Sequence, residues 1–522
     1  MDTQERQQRL IAALHDPSRY DHPVARLELI ETHISWVLLT GPFAYKIKKG
    51  VDFGFLDYST LEKRHRQCEE ELRLNRRTAP QIYLEVLPIG GTAAAPLLHA
   101  QPAIEYAVKM RQFPQQALLS QLLARDELGA PQASALAEAI AAFHASVDIA
   151  PPDSPFGSPE SLYHPVAENF SQLRERLSDP ALRHRLDALE QHSHAFYTQH
   201  REAFVQRKAA GCIRDCHGDL HLNNILLLDG VPTPFDCIEF NPNLRLIDTI
   251  SELAFLLMDL EEHGRRDLAN LLLNRYLELS GDYGGVPLLR FYLGYRAMVR
   301  AKVAALRLDQ AGLDESARTA VLHDLEEYLT LAEGYARPTR PRLLLTHGLS
   351  GSGKSTLTQT LLDIPGVVRI RSDVERKRLF GLGAQAPSHS PPGKKIYSAD
   401  ASRRTYQRLR ALAAAALQGG YSVIVDATFL QREQRDEFRR LGQQLKAPCT
   451  LLHFEADPQA LQQRIAARSA EGKDPSEADN TVLQAQLANY RPLAADETAD
   501  TITIDSTTGE GLGRIRRLFQ GE

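Results

Sequence analysis

The sequence predicts two parts of different fold class: an α+β part to about residue 336, and an α/β part with a parallel sheet from residue 342. Three observations carry this expectation. Between Leu343 and Thr356 the chain reads LLLTHGLSGSGKST, an apolar run entering a glycine-rich turn and then a helical pattern. After it, apolar strand-like runs alternate with helical ones: VVRIRSD, YSVIVDAT, CTLLHFEA and TITIDS. Such alternation implies parallel strands covered on both faces. Before it, strand-like runs crowd the stretch from His33 to Phe113 and helical ones dominate afterwards.

Taken in order, the first residues to about position 30 read as a short helix with Leu10, Ile11 and Leu14 on one face. His33–Leu39 and Phe43–Lys48 are strand-like runs separated by Thr40-Gly41-Pro42, a hairpin signal. A charged helical stretch, Thr60–Arg77, ends before Pro80, and IYLEVLPI and AIEYAVKMRQF read as two more strands. From Gln115 the pattern is helical, apart from a Pro/Ser/Gly loop at Pro151–Pro159, until about Lys208. CIRDCHGDLHLNNILLLDGVPTPFDCIEF then inserts short strands and loops, and residues 247–335 are helical again. Ala336-Arg-Pro-Thr-Arg-Pro341 is the linker, because two close prolines stop a helix and favour extended chain. The expected domains are therefore residues 1–336 and 342–522, joined by 337–341.

Composition narrows the class. A chain of 522 residues exceeds what one core organises, and 43% hydrophobic with 24% charged residues is an ordinary globular balance. The net charge of −5 does not indicate a nucleic-acid partner, although local basic patches are compatible with one. Five scattered cysteines argue against a disulfide framework and for a reducing cytoplasm. Cys212, Cys216, His217, His221 and Cys237 do not have the spacing of a usual zinc site. The polar start MDTQERQQRL is unlike a secretory leader, and no apolar run approaches a membrane span, so no membrane partner is expected.

Gly348 to Ser355 fills every fixed position of GxxxxGK[ST]. Gly348, Gly351 and Gly353 free the backbone to wrap a phosphate, with Ser350 and Ser352 between them. Lys354 reaches the β and γ phosphates, Ser355 holds Mg²⁺, and Thr356 opens the helix whose positive end faces the anion. This motif calls for ATP, or another nucleoside triphosphate, with Mg²⁺. Asp373 ends VVRIRSD, just beyond a strand expected beside the loop strand. It suits activation of an acceptor hydroxyl, and it also suits a helix cap. Asp426, at the end of YSVIVDAT, has the place of a second Mg²⁺ acid. Arg464 and Arg468, four apart before a Gly/Pro-bearing loop, suit a lid over a transferring phosphoryl group, or simply a basic helix face.

In the first part, His217-Gly-Asp219 to Asn224 places an acid and an amide five apart, and Asp236 follows a short apolar strand. That spacing matches a kinase catalytic loop, where the Asp takes the hydroxyl proton and the Asn holds Mg²⁺. Lys46 lies on the second strand of the hairpin, with Lys48 on the same face as its competitor. Glu71, or its neighbour Glu70, lies on the next helix as a partner. Asp248 reads as a structural acid.

Residues 30–335, through HGDLHLNNI, FDCIEF and AAFHAS, resemble the aminoglycoside phosphotransferase and choline kinase family, a bilobal protein-kinase-like fold. The resemblance implies Asp219 as catalytic base, Asn224 and Asp236 as metal ligands, Lys46 as phosphate anchor and EYAVKM as the adenine hinge. The turn at Thr40–Pro42 departs from that family's glycine-rich phosphate cover. Residues 342–520, through GLSGSGKST, RSD, VDATF and the RxxxR…DPSEA stretch, resemble the small P-loop kinases: gluconate kinase, polynucleotide 5′-kinases and the zeta-toxin group. This second resemblance implies Asp373 as catalytic base. The expectation is a cytoplasmic, ATP- and Mg²⁺-dependent phosphotransferase with two kinase modules acting on small-molecule or nucleotide acceptors. Its alternatives are a chain in which one module is a regulatory ATP-binding domain, and a polynucleotide or nucleotide-sugar kinase.

Overall fold

The computed structural model describes residues 3–54, 56–308, 313–384, 386–388, 390, 395–471, 476–488 and 490–519. Contacts divide the chain into two compact units, residues 1–164 with 201–256, and residues 165–200 with 257–522. Two of the three breaks fall inside the helices Pro159–Arg176 and Thr249–Glu262, and the third falls between the helices Pro180–Gln199 and Arg201–Ala209. The helices Arg266–Ser280, Val286–Leu308 and Glu315–Ala336 therefore pack in the same unit as the glycine-rich loop.

The first unit is built on a six-stranded antiparallel sheet. Its strands are β1 (Glu28–Glu31), β2 (Ser35–Leu39), β3 (Phe43–Lys48), β4 (Tyr83–Thr92), β5 (Ala95–Leu98) and β6 (Glu105–Arg111), in the order β1-β2-β3-β6-β4-β5. The hairpin turn between β2 and β3 closes through the Thr40 N–H to the Phe43 carbonyl at 2.9 Å. One sheet face packs Trp36, Leu38, Tyr45 and Ile47 against Leu10 and Ile11 of the helix Thr3–Ala13 and Leu14 just after it. The other packs Ala44, Val108 and Met110 against Cys68 and Leu72 of the helix Leu61–Asn75, which Thr60 caps. Alternation along β3 turns Ala44, Lys46 and Lys48 to this second face. Strands β1 and β5 have no signal in the sequence reading, because β1 is exposed throughout and carries no alternation of burial. Two small antiparallel pairs, β7 (Ile213–Asp215) with β10 (Leu246–Asp248) and β8 (Ile225–Leu228) with β9 (Val231–Pro234), flank the HGDLHLNN loop.

The second unit contains a five-stranded parallel sheet of β11 (Leu343–His347), β12 (Val367–Arg371), β13 (Ser422–Asp426), β14 (Cys449–Glu455) and β15 (Thr501–Asp505). The order is β12-β13-β11-β14-β15, so β12 does not neighbour the loop strand β11 as its sequence suggested. Strand β13, buried at every position, takes the place between them. Its apolar run suits a strand flanked on both edges, whereas β12 carries Arg369 and Arg371 and lies at the sheet edge. That edge is closed by side chains. Asn274 accepts from the Arg369 N–H at 2.8 Å and donates to the Val367 carbonyl at 2.8 Å, and Asn270 donates to Leu362 and Val367 at 2.8 and 2.9 Å. Tyr283 donates to the Arg369 carbonyl at 3.1 Å. Both asparagines lie on the helix Arg266–Ser280.

Candidate active sites

In the first unit, Lys46 and Glu71 meet across the sheet–helix interface. The Lys46 ammonium is 2.8 Å from Glu71 Oε1 and 2.6 Å from Asp236 Oδ1. Lys48, 1% exposed, pairs with Glu71 Oε2 at 2.5 Å and with Glu239, which also accepts from Tyr58. Lys46 therefore reaches Asp236, and Lys48 is locked into a buried network. Burial alone would push the Glu71 carboxyl up, but the two ammonium groups outweigh it and hold it below its usual range. Glu70 is taken by Arg73 and Arg245 instead.

The HGDLHLNN loop is held by its neighbours. Glu252 accepts from the Gly218 N–H at 2.7 Å and bonds His144 at 2.8 Å, while His217 Nε2 bonds the Phe235 carbonyl at 2.8 Å. Asn224 turns its amide N–H₂ to Asp219, at 3.0 Å to the carbonyl and 2.9 Å to Oδ2, so its amide oxygen faces away from that acid. The Phe235 N–H donates to the Asn224 carbonyl at 2.9 Å, which brings Asp236 one residue from Asn224. Asp236 has φ +64° and is steadied by Tyr83, whose hydroxyl accepts its N–H at 3.2 Å. A left-handed aspartate costs about 1–3 kcal/mol and is seen where surroundings hold it for a purpose. Amide and carboxylate oxygens here fit a hard divalent cation. Asp248 is structural: Arg207 clasps both its oxygens at 2.5 and 2.6 Å, and it accepts the Ile250 N–H.

In the second unit, the loop after β11 has Gly348, Gly351 and Gly353 at φ +149°, +82° and +82°. A Cβ at Gly348 would lie 2.8 Å from Ser352 Oγ and 2.9 Å from the Phe454 carbonyl, so no other residue fits there. Lys354 bends over the loop and donates to the carbonyls of Gly348 and Leu349 at 3.0 and 2.7 Å. The Ser350 N–H donates to Gln486 at 2.8 Å. A cavity of about 1330 Å³ joins Ser350, Lys354, Ser355 and Thr356 to Asp373, Asp426 and Arg464. Asp373 lies in the first turn of the helix Ser372–Leu379, and Arg464 donates to Ser506 at 2.9 Å. The side chain of Arg468 lies outside the described residues. Asp426 is 4% exposed, and its Oδ2 has no hydrogen-bond partner among the described residues. Arg371 Nε is 3.7 Å from it, too far for a hydrogen bond, and a divalent cation held with Ser355 would satisfy this buried oxygen.

Some residues near these sites had no assigned role in the sequence reading. Glu239 lies in FDCIEF and Arg371 in RIRSD, both within recognisable motifs. Glu278 and Gln486 sit in ordinary helical sequence and carry no local signal.

Residues 58–289 match the phosphotransferase enzyme family and residues 343–493 match an AAA domain. An uncharacterized protein of Mycobacterium tuberculosis is 33% identical over 475 residues, which cover 90% of this chain and 92% of its own. The chain belongs to the same family. An uncharacterized protein of Mycobacterium bovis matches to the same extent. Among solved structures, an amicoumacin kinase in complex with AMP-PNP and Ca²⁺ is 13% identical, with 62% of this chain and 94% of that one covered at a TM-score of 0.39. A gluconokinase from Sinorhizobium meliloti 1021 is 19% identical, with 35% and 99% covered at a TM-score of 0.25. Similarity at that level says nothing of acceptor chemistry. The two domain matches make the chain a kinase, with a phosphotransferase domain followed by a P-loop kinase-like domain. Among the described residues no helix is long and apolar enough to cross a membrane.

Proposed function

We propose that this kinase uses ATP and Mg²⁺ at two sites, each passing the γ-phosphate to a hydroxyl of a small-molecule or nucleotide acceptor. The observation that carries the reading is the shared cavity of the second unit, where the phosphate loop, Asp426 and Asp373 face one space. Binding alone needs no acid on the acceptor side. At this site the acceptor oxygen bonds the γ-phosphorus, the bond to the β-phosphate oxygen breaks, and Asp373 takes the hydroxyl proton as ADP leaves. Ser355 and Asp426 are the residues that would hold Mg²⁺, which offsets charge on the transferring group. Lys354 and Arg464 supply the fixed positive charge. At the first site the same roles fall to Asp219 for the proton, Asn224 and Asp236 for the metal, and Lys46, anchored by Glu71, for the phosphates.

The test is acceptor profiling of the full chain with labelled ATP against a metabolite extract, a 5′-hydroxyl oligonucleotide and UDP-N-acetylglucosamine. Asp373→Asn should remove one set of labelled products, and Asp219→Asn the other, each by about 10²–10⁴-fold with nucleotide binding retained. Labelling that survives both substitutions would refute the assignment. A second reading keeps the first site as a nucleotide-binding regulator. It is supported by the tight turn at Thr40–Pro42, where Gly41 is the only glycine and its N–H is taken by Gln112 at 2.9 Å. On that reading Asp219→Asn removes no product.

A further inference from the structure

Both residues assigned to the cation of the second site are touched by an arginine, and both arginines meet the same carboxylate. Arg369 donates to the Ser355 carbonyl at 2.9 Å. Arg371 stands opposite Asp426 in the β12–β13 register, with its Nε 3.7 Å from Oδ2. Glu278 Oε2 is 3.6 Å from Arg369, and Glu278 Oε1 is 3.5 Å from Arg371. The three side chains are 5–13% exposed, so water screens them little. Glu278 is itself held in place. Its helix is bonded to the edge of β12 through Asn270 and Asn274, and its carbonyl accepts from Arg378 at 2.6 Å.

We propose that Glu278, on the helix Arg266–Ser280 within the span matched by the phosphotransferase family, is a positioning residue of the P-loop site. It holds Arg369 and Arg371 together, and through them the Ser355 backbone and the charge beside Asp426. The proposal rests on the reading of Ser355 and Asp426 as cation ligands. The physical reason is competition for Arg371. This guanidinium lies between two carboxylates, and a divalent cation at Asp426 would be a like charge a few ångströms away. Glu278 keeps Arg371 neutralised while Asp426 turns to the metal. Without that carboxylate, Arg371 pairs more strongly with Asp426 and competes with the cation for the same oxygen. Arg369 loses its Glu278 carboxylate in the same change and keeps its bond to Gln359 at 2.7 Å.

The experiment measures binding, not turnover. The full chain carries Asp236→Asn to silence the metal ligand of the other site, and a non-hydrolysable ATP analogue is titrated calorimetrically over a series of Mg²⁺ concentrations. Glu278→Gln is expected to raise the Mg²⁺ needed for half-saturation by about tenfold, the size of effect typical for groups that orient metal ligands. Adding Arg371→Gln to Glu278→Gln should return the Mg²⁺ requirement toward that of the parent. Arg371→Gln alone should lower it, which keeps the proposal testable if Glu278→Gln folds poorly. A purely structural Glu278 would give no recovery in the double variant. That result, or an unchanged Mg²⁺ requirement in Glu278→Gln, overturns the proposal. Analogue binding that Lys354→Ala leaves intact in the parent overturns the P-loop reading itself, and the proposal with it.

Discussion

Lys46 and Lys48 occupy the same face of one strand two residues apart, yet their surroundings give them different work. Lys48 is enclosed with Glu71, Glu239 and Tyr58. Lys48→Met would leave Glu71 to Lys46 but take the ammonium partner from buried Glu239, and should cost about 3–5 kcal/mol, read from a urea denaturation curve. Lys46→Met leaves Glu71 paired with Lys48. It should lower the urea midpoint less while weakening nucleotide binding at the first site, which a fluorescent-nucleotide titration would report. Equal destabilisation by the two variants would count against this division. A second residue-scale effect concerns His347, which ends β11 immediately before the phosphate loop. Burial, then His453 at 2.8 Å, Arg435 and Lys354, hold its imidazole down to about 3 from an ordinary 6.5. The unfolded chain therefore takes the proton first, and the stability that neutral His347 supports is lost as pH falls from about 6.5 toward 3. His347→Gln should flatten the fall in melting temperature between about pH 6.5 and 5, above most carboxylate titration. A fall as steep as that of the parent would assign the effect elsewhere.

At the scale of elements, β12 is an edge strand whose outer backbone groups are met by amide side chains instead of another strand. An open edge invites pairing with other chains. Asn270 and Asn274 resemble an added strand in their bonding, each both donating and accepting. Replacing either with Leu would leave buried strand groups unsatisfied, at about 1–3 kcal/mol each. The double variant should show loss beyond the sum, because both donate to the Val367 carbonyl. Thermal unfolding of the single and double variants measures this. Strict additivity would mean that the two amides act independently.

For the second unit as a whole, the helical run 257–336 is part of the body that holds the P-loop sheet. A fragment cut within the proline-bearing stretch and starting at Arg342 would lose the asparagines that close β12 and the Glu278 that pairs Arg369 and Arg371. Such a fragment should aggregate or melt at lower temperature than the intact chain, checked by light scattering and a thermal-shift assay. A monomeric fragment of unchanged stability would show that the sheet stands without these helices.

Much of this protein was legible locally. The glycine-rich loop, the strands around it, the HGDLHLNN loop and the hairpin lysine follow from short-range patterns. Phosphate wrapping, strand alternation and the acid–amide spacing all act within a few residues. The choice between Lys46 and Lys48, or between Glu70 and Glu71, was not legible, since either member of each pair satisfies the local pattern. Only the packing of helix Leu61–Asn75 on β3, with Asp236 arriving from residues far along the chain, separates them. The same holds for the position of β13 between β11 and β12, and for Glu278. Their roles come from pairings across long stretches of chain, which neither periodicity nor spacing encodes. The sequence determined by itself that this chain carries a triphosphate-wrapping loop beside a parallel sheet, and a second acid–amide loop. The tertiary structure decided which charges meet there, because in a low-dielectric interior that depends on distances between segments remote in sequence.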